Sequence, residues 1–421
     1  GTNFVQGATV TIAGIPATNV VVTSPTTITL TAPAKAATCA MMTVVVTNPD
    51  GQMATSSNIL RYRSNTFGFL AKQDTATNSL TAPRNIVLAD VNSDGKSDLL
   101  VSLLTANQIA FLPGMGGASF GAAVTASVGT QPRAIAAGLL DADTKLDAIV
   151  ANAMSNNVSV LTGSGTGSFT AKTPVTAGNA PNGVLLLDLD GDGKRDLVAT
   201  NSGAAIPNGG SYTVAMGNGD GTFKTPSNIT LPVGSTGITS GDFNKDGKVD
   251  LAISHGAQGI VSLLIGNGNG TFAAPQPIGA GGATANADDV TAGDFNNDQR
   301  LDLAVANGMT DTVSVMFGQG NGTFTTPPQT TNTNSKGPTA LINVDLNGDG
   351  FPDLITANQA ATNLSVMRGS ATGAFAAGTP YTVGNSPRFL QSGDLNGDAQ
   401  PDLISSNAQS GNISVLISQC N

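Results

Sequence analysis

A nine-residue acidic turn recurs seven times along the chain at nearly constant spacing, six copies intact and one damaged. The intact copies read Asp-x-[Asn/Asp]-x-Asp with a further Asp at the ninth position, and they begin at Asp90, Asp188, Asp242, Asp294, Asp345 and Asp394. The damaged copy begins at Leu139, in the one gap of the series. By subtraction, successive starts lie 49 to 54 residues apart. A fixed period of that length restricts the chain to a solenoid, a propeller or an array, because each unit must bury its apolar surface against a copy of itself. Seven units of about four strands each predict an all-β fold, a seven-bladed β-propeller.

The turn chemistry points to a metal. In the copy DVNSDGKSD, the side-chain oxygens of Asp90, Asn92, Asp94 and Asp98 can converge on one cation, with the Lys96 carbonyl beside them. The same positions give Asp188, Asp190, Asp192, Lys194 and Asp196, then Asp242, Asn244, Asp246, Lys248 and Asp250. Further on come Asp294, Asn296, Asp298, Arg300 and Asp302, followed by Asp345, Asn347, Asp349, Phe351 and Asp353, and finally Asp394, Asn396, Asp398, Gln400 and Asp402. Only oxygen donors occur, and flexible acidic loops of this kind suit Ca²⁺ better than the stricter octahedron of Mg²⁺. About six calcium ions are expected.

Departures from the pattern grade the sites. Leu139 replaces the first ligand of the second loop and Thr144 its glycine, so Asp141, Asp143 and Asp147 form a degenerate site. Gln299 and Ala399 replace the turn glycine in the fifth and seventh loops, where strain rather than loss of the site is expected. An EF-hand begins with the same letters but needs a bidentate Glu at position twelve between two helices. The chain has no Glu, and each loop runs into a short apolar, β-branched segment such as DLAVAN.

Composition agrees with committed carboxylates. All 28 acidic residues are Asp, and 22 of them lie in the seven loops. Six bound Ca²⁺ would bring the formal net charge from −10 to −10 + 12 = +2, so the acidic balance is mostly metal-site acidity. The 18 Lys and Arg form no cluster, which argues against nucleic acid as a partner. No apolar run approaches the ~20 residues of a membrane span. No signal peptide is visible, and a start at Gly1 rather than Met implies processing or trimming.

Around each turn the repeat reads as apolar strand, loop, DL strand, a third strand such as TVSVMFG, and a Gly-rich turn ending in Phe. Those phenylalanines are Phe69, Phe120, Phe169, Phe223, Phe272, Phe324 and Phe375, expected to pack between repeats. The unit GNGNGTFAAPQPI…VTAGDFNNDQRLDLAVAN resembles the FG-GAP or VCBS repeats of integrin α-subunit propellers and of secreted bacterial proteins, over about Thr66 to the C-terminus. The resemblance implies a calcium loop between the first and second strands of each blade. It also implies a ring closed by an orphan fourth strand, Phe67 to Asp74, pairing with the last third strand, Ile413 to Ile417. Two domains are expected, 1–64 and 65–421.

Residues 1–64 alternate β-branched segments with Gly, Pro and Asn-Pro turns, the pattern of a β-sandwich. The segment is similar to an IPT/TIG immunoglobulin-like domain, but it starts where that family has already laid down one or two strands. Either the sequence was cut at a boundary, or a neighbouring subunit donates the missing strand. Cys39 lies in this module and Cys420 next to the last residue. If the orphan strand closes the ring, Cys420 lies near the domain junction; an intrachain disulfide, an intersubunit bond and two free thiols all stay open.

Catalysis finds little support. The lone His255 follows a strand and has no Ser or Cys partner in a nucleophile motif, and the paired carboxylates belong to the metal loops. A lectin would need flat aromatic faces, yet there is no Trp and Tyr occurs only at positions 62, 212 and 381. The expectation is a non-enzymatic, secreted or cell-surface calcium-binding adhesion or structural protein. Its partners would be a protein or glycan of the surface or matrix, or further copies of itself in a filament built by strand donation. A carbohydrate-binding propeller is the further alternative.

Overall fold

The computed structural model describes residues 2–33, 42–60, 67–75, 81–203, 209–231, 233–282 and 285–420, apart from the side chains of residues 42, 57–60, 67 and 420. Among these residues there is no α-helix, and one 3-10 turn, Gly256–Gln258, interrupts an otherwise all-β chain.

Seven antiparallel sheets follow one another, each entered through a first strand and an acidic turn. The first strands are Pro83–Ala89, Pro132–Gly138, Pro181–Leu187, Ile238–Gly241, Ala287–Gly293, Pro338–Val344 and Pro387–Gly393. The second strands begin at the ninth turn position: Asp98–Leu103, Asp147–Asn152, Asp196–Asn201, Asp250–His255, Asp302–Asn307, Asp353–Asn358 and Asp402–Asn407. Third and fourth strands complete each sheet in simple up-and-down order, the fourth of the second sheet being split into Phe169–Ala171 and Val175–Thr176. The second strands are buried along their whole length, which explains why they are apolar and β-branched on both faces.

First strands of consecutive sheets lie side by side, and the first strand of the last sheet lies against that of the first, so the sheets form a ring. The core is divided accordingly into seven apolar clusters, one between each pair of neighbours. Leu99, Val101 and Leu112 of the first sheet pack with Ile404, Ile413 and Val415 of the seventh in the cluster that closes the circle. Each fully buried Leu, Ile or Val there contributes about 1.5–3 kcal/mol of transfer free energy. The recurrent phenylalanines sit in these junctions as expected: Phe324 meets Phe243 at 5.9 Å between ring centroids, and Phe375 meets Phe295 at 5.8 Å.

The ring closes through the N-terminal segment, with a different division of labour from the single orphan strand Phe67 to Asp74 read from the sequence. Gln73–Thr75 supplies the fourth strand of the seventh sheet, pairing Asp74 with Ser414. Phe67–Phe69 pairs separately with Ser418–Cys420. The cause lies in the repeat itself: Phe69 opposite Ser418 occupies the place of the Gly217–Phe223, Gly266–Phe272 and Gly318–Phe324 bridges, each of which stands apart from the fourth strand of its sheet.

Ahead of the ring, Ile15–Pro16, Thr9–Ile12, Met42–Thr47 and Met53–Leu60 form one sheet in that order, and Thr18–Ser24 pairs with Thr27–Thr31 in a second. Val10 and Ile12 of the first pack with Val20, Ile28 and Leu30 of the second, a two-layer arrangement. Cys39 and the Cys420 side chain, and with them the choice between an intrachain disulfide, an intersubunit bond and free thiols, lie outside the described residues.

Candidate metal centres

Each acidic turn is held by its own carboxylates. In the first loop, the Asp94 amide donates to Asp90 Oδ1 and Asn92 Oδ1, both at 3.0 Å, and the Gly95 amide donates to Asp90 Oδ2 at 2.9 Å. The Lys96 amide donates to Asp94 Oδ1 at 2.9 Å. The loops from Asp242, Asp294, Asp345 and Asp394 repeat these bonds. The sixth residue of every intact loop adopts a left-handed backbone, including Gln299 at φ 63° and Ala399 at φ 62°. That conformation costs a non-glycine residue about 1–2 kcal/mol, so these two loops carry the strain their sequence implied and keep their shape. The second loop does not follow: neither Ala142 nor Thr144 has a positive φ, and Leu139 stands exposed where the first ligand would be.

The ninth residue has a role that spacing alone did not reveal. Asp98, Asp147, Asp196, Asp250, Asp302, Asp353 and Asp402 are all fully buried. One oxygen of each accepts the amide of the second loop residue, as Phe295 donates to Asp302 Oδ2 at 2.8 Å. The other accepts an amide sixteen residues on, or twenty-one in the third sheet, as Gly318 donates to Asp302 Oδ1 and Gly217 to Asp196 Oδ1, both at 2.8 Å. The degenerate loop keeps the same pair, with Leu140 and Gly163 donating to Asp147 at 2.7 and 2.9 Å. The carboxylate thus staples the loop to the start of the Phe turn, whether or not the loop can hold a cation.

Electrostatics divides the ligands. Burial pushes the ninth carboxyl up at Asp302, to about 6, and at Asp353, to about 7, with the loop's other carboxylates adding repulsion. The fifth carboxyls of three loops are held below their ordinary value, Asp192 by its hydrogen bonds with Lys194, and Asp143 and Asp246 first by the amides of Lys145 and Lys248. The seventh side chain folds onto that same carboxylate, Lys194 Nζ lying 2.9 Å from Asp192.

In the loop from Asp188, one oxygen each from Asp188, Asp190 and Asp196 lies within 4.8 Å of the others. Three carboxylates so close repel one another, and a hard divalent cation bound by oxygen would remove both that repulsion and the burial penalty on Asp196. In the other five intact loops the third residue is Asn, with its amide oxygen turned to the fifth residue's N–H.

Two features escaped the sequence reading. His255 is buried, its Nε2 2.8 Å from Ser262 Oγ and its Nδ1 3.3 Å from the Gly234 carbonyl. It stands five residues after Asp250, where Asn152, Asn307, Asn358 and Asn407 stand after their own aspartates and donate Nδ2–H to the corresponding serine. The lone histidine is therefore a stand-in for a buried structural asparagine. The second feature is a cavity of about 580 Å³ at the first strands, lined in part by Arg84, Arg133 and Arg388. Aligning the repeats on their loop starts and reading six residues upstream would have placed these arginines in one column.

A closed ring of four-stranded sheets, each entered through an acidic turn, defines a repeat β-propeller. The family model described as FG-GAP-like repeat matches five overlapping segments, 140–199, 188–253, 242–305, 296–356 and 345–405, and the chain belongs to that family. No curated protein sequence matches it. Similar solved structures include BBS1N in complex with ARL6DN, at TM-score 0.56 and 12% identity over 83% of this chain and 96% of that one. An Agrocybe aegerita lectin specific for non-reducing terminal N-acetylglucosamine is similar at TM-score 0.51 and 18% identity, over 89% and 97%. A candidate 6-phosphogluconolactonase from Bacteroides fragilis is similar at TM-score 0.54 and 15% identity, over 83% and 92%. At these identities the likeness is one of fold. No helix of the described residues is long and apolar enough to cross a membrane.

Proposed function

We propose that the protein is a non-enzymatic, calcium-binding adhesion or structural protein of the extracellular space or cell surface. Residues 1–64 form an IPT/TIG-type immunoglobulin-like module and residues 65–421 a seven-bladed propeller of the integrin-like kind. The observation that carries the reading is the convergence of Asp188, Asp190 and Asp196, in a loop whose left-handed fourth and sixth residues recur in the five other intact loops. Asp90, Asp242, Asp294, Asp345 and Asp394, with their third, fifth and ninth partners and the seventh carbonyl, hold the other ions. Calcium neutralises clustered carboxylates and fixes the turn between first and second strands, so its binding is part of folding.

A structural place for His255, a buried position for Tyr212 and a half-buried one for Tyr381 against Phe69 at 4.7 Å favour this reading over an enzyme or an aromatic sugar platform. The filament alternative draws on the N-terminal module: among the described residues no third strand joins the hairpin of Thr18–Ser24 and Thr27–Thr31, and Val21 is half exposed on it. An open hairpin edge can accept a strand from a neighbouring copy.

Metal analysis after dialysis against calcium should find about six ions per chain, one per intact loop. Excess chelator should lower the melting temperature sharply, and Asp246→Ala should cost more of the calcium-dependent stability than Asp143→Ala. An unchanged melt in chelator, or equal losses in the two variants, would sink the metal assignment. Negative-stain electron microscopy separates the two assemblies: discrete rings for a monomeric binding protein, regular fibres for strand donation.

A further inference from the structure

The column six residues before each loop start contributes one side chain per sheet near the ring's axis. Sheets seven, one and two are consecutive around the ring and contribute Arg388, Arg84 and Arg133. The remaining sheets contribute Asn182, Thr236, Asp288 and Thr339. All seven line the same cavity. Two of the arginine backbones are fixed from the neighbouring sheet: Ser406 Oγ donates to the Arg84 carbonyl at 2.7 Å and Ser102 Oγ to the Arg133 carbonyl at 3.0 Å.

Three guanidinium groups in one arc are costly unless something answers them. Among the described residues none of the three forms an ion pair. Arg133 Nη1 donates to Asn182 Oδ1 at 3.3 Å, but its Nε and that of Arg388 are buried without a partner, as is Thr339 Oγ1. Burial, and then mutual repulsion from Arg133 and Arg388, brings the Arg84 guanidinium down to about 10. The acids nearby offset this charge only in part, Asp288 attracting Arg388 without forming an ion pair. Asp289 is taken up by the amides of Leu341 and Val290, both at 3.0 Å, and Asp288 by Asn286 at 2.7 Å. Buried N–H donors on a planar cation are geometrically matched to an oxyanion.

We propose that this cavity binds an anionic sugar, its carboxylate or sulfate seated on Arg84, Arg133 and Arg388 and its hydroxyls on Asn182, Thr236, Asp288 and Thr339. The volume of about 580 Å³ exceeds what a bare inorganic ion needs and suits a ligand of monosaccharide size or somewhat larger. The oxyanion satisfies the stranded Nε donors, and the neutral and acidic arc opposite offers acceptors and donors to hydroxyl groups.

The test is isothermal titration of the calcium-loaded full chain, in constant excess calcium, with sodium glucuronate, glucose 6-sulfate and glucose, for the wild type and for Arg133→Gln with Arg388→Gln. Saturable binding of at least one acid, at least about tenfold weaker for glucose and about tenfold weaker in the double variant, is expected. The ranking of the two acids identifies the oxyanion. Absence of saturation by either acid at millimolar concentration, equal binding of glucose, or undiminished binding in a folded double variant would overturn the proposal. Should the double variant fail to fold, Asp288→Asn decides with inorganic sulfate, which has no hydroxyls to lose: about threefold tighter binding is expected from removing the opposing charge, and unchanged or weaker binding overturns it.

Discussion

Replacing Asp147 by Ala separates stapling from metal binding, because this ninth-position carboxylate sits in the one loop that has lost its first ligand. Its two oxygens accept the Leu140 and Gly163 amides at 2.7 and 2.9 Å in a fully buried setting. Removal leaves two buried N–H donors unpaired at about 1–3 kcal/mol each. Relief of the desolvation that raises the Asp147 carboxyl offsets part of that, for a net loss of about 3 kcal/mol. A chain of this size shifts by about 1–2 °C per kcal/mol, by extrapolation from smaller domains, so the melting temperature should fall by about 3–6 °C. The assay is a pair of thermal melts, in calcium and in excess chelator, for Asp147→Ala and for Asp302→Ala. Asp147→Ala should lose the same amount in both buffers, while Asp302→Ala should lose more in calcium, where it also forfeits a ligand. A wild-type melt for Asp147→Ala, or a loss confined to the calcium buffer, would refute the staple.

Further outcomes follow from the same geometry. Gln299→Gly and Ala399→Gly should each stabilise the protein by up to about 1 kcal/mol by releasing left-handed strain, read as a raised denaturation midpoint; a lowered midpoint for both would contradict the strain. His255→Asn should be tolerated within about 1 kcal/mol, since Asn fills this position in other sheets, whereas His255→Ala, stranding Ser262, should cost about 2 kcal/mol; equal losses would deny the equivalence. Burial raises the Asp289 carboxyl from 3.8 to about 7, so the native state holds its proton where the unfolded state has lost it. Stability should therefore fall as pH rises from about 4 to about 7, and Asp289→Asn should flatten that slope; an unchanged slope would place the titration elsewhere.

What the sequence made legible, it did through residue types that chemistry fixes at short range. The loops could be read as turns because their backbone demands Asp, Asn and Gly at set offsets, and the lost glycine of the second loop shows in Thr144, which lacks the left-handed conformation. Phe69 through Phe375 could be placed between sheets because one large ring per repeat must have one junction per repeat to fill. The second role of Asp302 was hidden because its partner amide, Gly318, lies sixteen residues away and only strand pairing brings the two together. Arg84 and Arg388 lie still further apart, joined by nothing short of the completed circle. His255 read as structural from the sequence, but only its register showed that it replaces an asparagine.

The clasp formed by Gln73–Thr75 and Asn412–Leu416 has a consequence for the life of the molecule. Thr75 Oγ1 donates to the Ile413 carbonyl across 338 residues of chain, and Ser414 Oγ to Asp74 Oδ1 across 340. Contacts of such sequence separation form late and slow folding, because the entropy of closing the loop is spent before the contact repays it. Once made, the clasp reverses that penalty into endurance. No sheet of the ring keeps a dangling last strand from which fraying can start, and disassembly must first break the joint between the two ends. Loss of the fold is then governed by the rate of opening that joint rather than by depth of free energy alone.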